Sequence, residues 1–325
     1  MQEATLTPHA FGELEQYRRE LTAYCYRMLG SPFDAEDAVQ DAFVRAWRSR
    51  DSFEGRSAMR SWLYRIATNV CLDMLKGKDR RAVPMDFGPA SAPLESNLNV
   101  PAEVTWLEPI PMRLIAPERD PADVAVANES IRLAFVAALQ HLPAKQRAVL
   151  ILREVLDWQA SEVGELLDTS VASVNSALQR ARATIAKANS GSSAGDQPLS
   201  EADRAMLDRY VAAFERYDVK ALTLLIREDA KQSMPPFDMW LSGRDDVLAW
   251  WFGPGIGCKG SRILRPESAN GMPTFGQYKP SPAGGYDPWA LQVLELSEGR
   301  IVEFTFFLDT AKLFPLFGLP LHLDA

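Results

Sequence analysis

Eight prolines fall between Ala82 and Asn128, at Pro84, Pro89, Pro93, Pro101, Pro109, Pro111, Pro117 and Pro121. Proline lacks a backbone N–H and its ring clashes with the preceding turn, so no long helix crosses this stretch. The chain is therefore cut here into separate folding blocks. The segment is not featureless, because Val104, Trp106, Leu107, Ile110, Met112, Leu114 and Ile115 are apolar, which is unusual in a solvated tether. Part of it is expected to dock on a neighbouring domain. A second break, NSGSSAGDQP at 189–198, has the composition of a flexible connector.

With 47% hydrophobic residues the 325-residue chain can fill two or three cores. Cys25, Cys71 and Cys258 lie far apart, giving neither a disulfide framework nor a zinc-ligand spacing, so a reduced compartment, no metal and no cofactor are expected. No apolar run reaches the ~18 residues that cross a bilayer, and MQEATLTPHAFGELEQ lacks a signal-peptide core. A cytoplasmic protein without membrane partners is expected. The net charge of −8 excludes a uniformly basic coat, so any nucleic-acid binder here must place its cations on particular helix faces.

The block at 7–81 reads as helical. From Asp34, Ala35, Ala38, Val39, Ala42, Phe43 and Ala46 recur at helical spacing, and a further helix over about 58–76 buries Met59, Leu63, Ile66, Ala67, Val70 and Met74. Opposite the first stripe lie Glu36, Asp37, Gln40, Asp41, Val44 and Arg48; a charged face of this kind is as readily a solvated surface, although Val44 among the charges suits a docking face. On the later helix Arg65, Asn69 and Lys76 share one side, with Trp62 and Tyr64 nearby. Cations, an amide and aromatic rings are what single-stranded nucleic acid needs, but Trp62 reads equally as core.

The run FDAEDAVQDAFVRAW followed by DSFEGRSAMRSWLYRIATNVCLDMLKGKDRR resembles region 2 of the extracytoplasmic function sigma factors, sigma-70 relatives that direct bacterial RNA polymerase to promoters. The resemblance implies that Glu36, Asp37, Gln40 and Asp41 bind the β′ clamp helices of core polymerase. It places Asp51, Ser52 and Phe53, in the loop Asp51–Ser57, with Arg65, Asn69 and Lys76 at the melted −10 element, Asn69 facing a flipped base. Extrusion exposes the Watson–Crick edge that a duplex hides.

In the block at 128–188, two short helices, a turn and a longer helix are expected. Val163, Leu166 and Leu167 pack against Val171, Val174, Leu178 and Ile185, and no acidic residue stands between Thr169 and Lys187. That is the layout of a helix-turn-helix reader, or of an amphipathic surface helix. The segment resembles sigma region 4, which implies reading of the duplex −35 element through Ser170, Ser173, Asn175, Ser176, Gln179, Arg180 and Arg182, and docking on the polymerase β-flap. Asp168 stands where many such turns have Gly, and Gly164 interrupts the scaffold helix.

The block at 199–325 carries two helices and then β-prone runs such as WALQVLEL and RIVEFTFFL, an α+β pattern. It resembles the SnoaL-like domains, which implies a sheet wrapped by helices into a cone. The expected fold is thus multidomain: two all-α sigma domains, a 82–127 linker, a 189–198 connector and an α+β SnoaL-like domain. Met234, Trp240, Trp250, Phe275, Trp289 and Phe306 are candidates to line a small-molecule cavity, with core packing the plain alternative. Asp238, Asp309 and His322 are weak candidates for a catalytic base, and no enzyme is expected. This acidic block, with 13 Lys/Arg against 18 Asp/Glu beyond residue 189, is expected to regulate the sigma domains in cis. The competing readings are an autonomous helix-turn-helix regulator and a bifunctional protein with an enzymatic C-terminal domain; a cavity carboxylate of raised pKa beside an aligned donor marks the latter.

Overall fold

The computed structural model describes residues 14–50, 59–116, 130–188 and 199–324. The chain forms two compact units, Met1–Arg81 with Arg113–Gly191 and Ala82–Met112 with Ser192–Ala325. The expected 82–127 linker is therefore divided, its first two-thirds belonging to the C-terminal unit.

In the first unit, α1 (Arg18–Leu29), α2 (Pro32–Arg48) and α3 (Met59–Met74) pack as three helices. The sequence stripe of α2 is its buried face: Ala35, Ala38, Val39, Ala42 and Phe43 are 0–1% exposed. The helix begins two residues before Asp34, because the Ser31 side chain accepts the Asp34 N–H (3.3 Å) and Pro32 occupies the first turn. A polar seam ties α1 to α3, with Tyr24 Oη and Thr68 Oγ1 2.7 Å apart. Next come α4 (Leu133–Gln140), α5 (Ala144–Leu150), a π-helical turn at Ile151–Val155, α6 (Ala160–Leu166) and α7 (Val171–Ala188). Val163, Leu166, Val174, Leu178 and Ala181 form the α6–α7 core, whereas Val171, expected inside, is 46% exposed. The α6–α7 turn closes through Asp168 at φ 50°, a left-handed conformation that Asp tolerates better than most residues. Gly164 is required by packing: a Cβ there would meet Thr169 O at 2.9 Å.

Two buried arginines join the halves of this unit. Arg27 of α1 donates to Ser130 O (3.0 Å) and Oγ (2.7 Å), and Arg147 of α5 donates to Met28 O and to Gln140 Oε1 (2.8 Å). These acceptors are all neutral, and burial lowers both guanidinium groups to a pKa of about 10.

The second unit opens with the strap 82–112 and continues with α8 (Glu201–Arg216), α9 (Val219–Leu225), β1 (Ile226–Ser233), β2 (Trp240–Ser242), α10 (Arg244–Phe252), β3 (Arg262–Leu264), β4 (Thr274–Pro280), β5 (Tyr286–Ser297), β6 (Arg300–Phe307) and α11 (Thr310–Leu316). The sheet order is β2-β1-β6-β5-β4-β3; β1 and β6 run parallel and every other pair antiparallel. Helices α8 and α10 cover one face, where Tyr210, Phe214, Trp251, Phe304 and Phe306 meet at ring separations of 5.1–6.3 Å. Helix α11 packs against β5 on the unit's C-terminal side. The strap is pinned by its backbone: Ile110 N–H donates to Asn270 Oδ1 (3.0 Å) and Ile110 O accepts the Asn270 N–H (2.9 Å). Leu107 and Ile110 are 3% and 0% exposed, so the apolar residues that made this segment odd as a tether are core residues here.

Candidate nucleic-acid interface

On α2, Glu36, Asp37 and Gln40 are exposed along one side, Asp41 and Val44 half-buried beside them. Asp41 is not free: Arg45 pairs with it at 2.9 Å and with Asp73 of α3 at 3.2 Å. The resulting face carries acceptors at i, i+1, i+4 and i+5, with its acidic residues toward the positive end of the helix dipole.

Asp51, Ser52 and Phe53 lie outside the described residues. Arg65 and Asn69 of α3 and Lys76 in the turn after it are exposed, but in different circumstances. Arg65 Nη2 donates to Glu165 O of α6 (3.2 Å). Lys76 is drawn to Asp73 at 2.7 Å, and Lys76 and Arg45 together hold the Asp73 carboxyl below its usual range. The Asn69 side chain makes no bond to the described residues and opens on a groove. Tyr64 does not serve as a stacking platform: it is 0% exposed and packs between Tyr24 (5.1 Å) and Trp158 (5.2 Å).

The outward face of α7 presents Ser173, Asn175, Ser176, Gln179, Arg180 and Arg182, all exposed, directly behind the buried Val174–Leu178–Ala181 seam. Ser170 acts at the helix start, its Oγ accepting the Ser173 N–H at 3.2 Å. Arg182 is paired with Glu154 of the preceding turn. Arg180 has no such partner among the described residues, which leaves its guanidinium to reach a base or phosphate.

The six residues expected at a ligand cavity are not gathered. Met234, Trp250, Phe275 and Phe306 belong to the packed core of the second unit. Trp240 donates Nε1–H to Gly88 O of the strap (2.9 Å), and Trp289 is 38% exposed with Lys279 Nζ 3.0 Å from its ring centroid. The cone interior satisfies its own polar groups: Tyr210 Oη donates to Gln292 Oε1 (2.8 Å), Gln292 Nε2 to Gln277 Oε1 (2.8 Å) and Gln277 Nε2 to Ser261 Oγ (3.0 Å). Each side chain in this relay is thus engaged by a neighbour. The candidate bases fare no better. Asp309 precedes α11 and pairs with Lys312 (3.1 Å), while His322 Nδ1 meets Asp287 at 3.2 Å on the surface. Among the described residues the carboxyl with a raised pKa, about 7, is Glu303, pushed up by burial first and by the facing Glu295 second. Because side chains alternate along a strand, it faces away from the side that its neighbour Phe304 fills.

Sequence reasoning missed Arg27, Arg147 and Lys145. Lys145, at the start of α5, lines the same groove as Asn69 although 76 residues separate them; nothing in a helical period announces such a long-range meeting. Among the described residues no helix is long and apolar enough to cross a membrane.

The comparisons with known proteins agree with this layout. The sigma-70 region 2 family model matches residues 14–81 and the sigma-70 region 4 model residues 132–185. The chain is 43% identical over 315 residues to the ECF RNA polymerase sigma factor SigG of Mycobacterium tuberculosis, covering 94% of this chain and 82% of that one. It is 30% identical to SigW of Bacillus subtilis over 55% of this chain and 88% of the relative. The crystal structure of M. tuberculosis SigJ superposes with a TM-score of 0.61 at 21% identity, over 96% of this chain and 99% of that one, a likeness of fold that includes the C-terminal unit. The chain belongs to the extracytoplasmic function (ECF) sigma factors of the sigma-70 family.

Proposed function

We propose that the chain directs core RNA polymerase to promoters through three faces and that its SnoaL-like unit regulates this in cis. Glu36, Asp37, Gln40 and Asp41 of α2 engage the β′ clamp helices. Arg65 and Asn69 of α3 and Lys76 in the turn after it, with Asp51, Ser52 and Phe53, read the melted −10 strand. The α7 face, from Ser170 to Arg182, reads the duplex −35 element while its domain docks on the β-flap. The observation that carries the reading is the α7 surface, exposed hydroxyls, amides and arginines without an acidic residue, backed by a dry apolar seam. Regulation in cis is supported by the strap: the segment connecting the two sigma regions is hydrogen-bonded into the C-terminal unit at Asn270, Ser268 and Trp240.

The test is in vitro transcription with core polymerase and the full chain. Asn69→Ala should abolish promoter opening with core binding intact, and Asp37→Arg should weaken core binding. Duplex binding at full affinity without polymerase, and no promoter-specific transcript with it, would instead establish an autonomous regulator.

A further inference from the structure

A groove of about 680 Å³ runs beside α3 in the first unit, within the size range of small-ligand sites. Its walls come from both sigma regions: Asn69 and Asp73 of α3, Lys76 just beyond it and Arg45 of α2 from region 2, and Lys145 of α5 from region 4. Three cations face one carboxylate, and that carboxylate is already held by Arg45 and Lys76. The Asn69 amide and the Lys145 ammonium are both exposed and bond to none of the described residues. Between them Leu72, Leu75 and Ala144 supply an apolar wall.

An amide, an apolar wall and an ammonium without a partner among the described residues in one groove match a base edge, a base face and a phosphate. Asparagine pairs best with the adjacent donor and acceptor of adenine, and lysine meets phosphate as a point charge. We propose that this groove binds a free adenine mononucleotide, Asn69 on the base and Lys145 on the phosphate, and that the ligand fastens region 2 to region 4. The consequence rests on the promoter-reading function proposed above. Elements centred at −10 and −35 are about 25 base pairs apart, roughly 85 Å at 3.4 Å per pair. A compact body of this unit's length is only roughly 40 Å across. The two regions therefore part on the promoter, and the groove with them. A ligand that touches both walls binds the closed arrangement better and opposes promoter engagement by that difference in affinity.

The experiment is calorimetric titration of the full chain, without polymerase, with AMP, CMP and inorganic phosphate. AMP should bind, at least fivefold more tightly than CMP or phosphate. Lys145→Glu should weaken AMP at least tenfold and Asn69→Ala about fivefold, both on an unchanged circular-dichroism spectrum, while the charge reversal Lys259→Glu, which lies in the other unit and does not line the groove, leaves the affinity as it was. Absence of binding at millimolar AMP, equal affinity for phosphate, or equal losses in Lys259→Glu and Lys145→Glu would overturn the proposal. Binding of a −10-strand oligonucleotide but not of AMP would overturn it as well. Because polymerase is absent, failure here is distinct from failure of the sigma reading, which transcription reports.

Discussion

Replacing Glu303 by Gln should stabilise the C-terminal unit at alkaline pH and leave it unaltered in acid. Register places Glu303 of β6 opposite Glu295 of β5 on one side and Lys231 of β1 on the other. Burial is the first cause that raises its pKa from 4.5 to about 7, Glu295 the second, and Lys231 opposes both. Between these two pH values the folded chain holds a proton that the unfolded chain has released. Stability is therefore greatest below pH 4.5, declines as pH rises toward 7 and levels off above it. A displacement of this size corresponds to an upper bound of about 3 kcal/mol at ~1.4 kcal/mol per pH unit, with solvent access to a half-buried side chain reducing it.

Urea unfolding of the full chain followed by tryptophan fluorescence reads the effect, since Trp106, Trp240, Trp250, Trp251 and Trp289 all lie in this unit. At a slope of about 2 kcal/mol per molar urea, the wild-type midpoint for this unit should fall by up to about 1.5 M from pH 4.5 to pH 8. Glu303→Gln should be nearly flat over that range and coincide with wild type at the acid end. Glu295→Gln should lower the Glu303 pKa and reduce the slope; Lys231→Gln should steepen it. An identical pH dependence in wild type and Glu303→Gln, or a variant less stable than wild type at pH 8, would refute the reasoning.

Gly164→Ala should destabilise region 4 by about 1–3 kcal/mol, because the new Cβ presses on Thr169 O; a lowered melting temperature checks it, and an unchanged one removes the packing argument. Asn270→Ala deletes the acceptor for the buried Ile110 N–H, a loss of about 1–3 kcal/mol, and should speed limited proteolysis within 82–112 while the region 2 helices stay resistant. Arg180→Glu should weaken −35 duplex binding by polymerase holoenzyme at least tenfold with no change in melting temperature, since Arg180 has no partner among the described residues to lose.

What could be read from sequence was whatever repeats at a fixed period. The α2 stripe is buried residue for residue because a helix puts i, i+3, i+4 and i+7 on one side whatever it packs against. The polar face of α7 was legible for the same reason, including the Asp168 turn. The aromatic residues offered for a ligand cavity, with core packing as the alternative, could not be decided from sequence because their spacing carries no such rule. Trp250 and Phe306 are as apolar in a filled core as in a lined pocket, and only the three-dimensional partners of Gln277 and Gln292 show that the interior is already satisfied. The strap was half legible: its apolar residues called for a partner, but composition could not say which domain supplied it.

The arginine hub was wholly illegible, and the reason bears on how the first unit behaves. Arg27 and Ser130 are 103 residues apart, Arg147 and Met28 119, so no local pattern links them. Nor does charge matching, because their hydrogen-bond acceptors are carbonyl, hydroxyl and amide oxygens. A buried guanidinium among neutral acceptors gives up much of its hydration for bonds that return little net energy. On the α4–α5 side Val136, Leu139 and Leu142 are buried as well. An interface held in this way is specific in geometry, since four directed bonds must align across it, yet inexpensive to separate, since water repays both arginines when it enters. Arg27→Met tests that balance directly: it should leave melting within about 1 kcal/mol of wild type, the hydrophobic gain offsetting the orphaned Ser130 oxygens. A loss of 3 kcal/mol or more would mean that the hub binds the two regions far more tightly than its neutral acceptors allow.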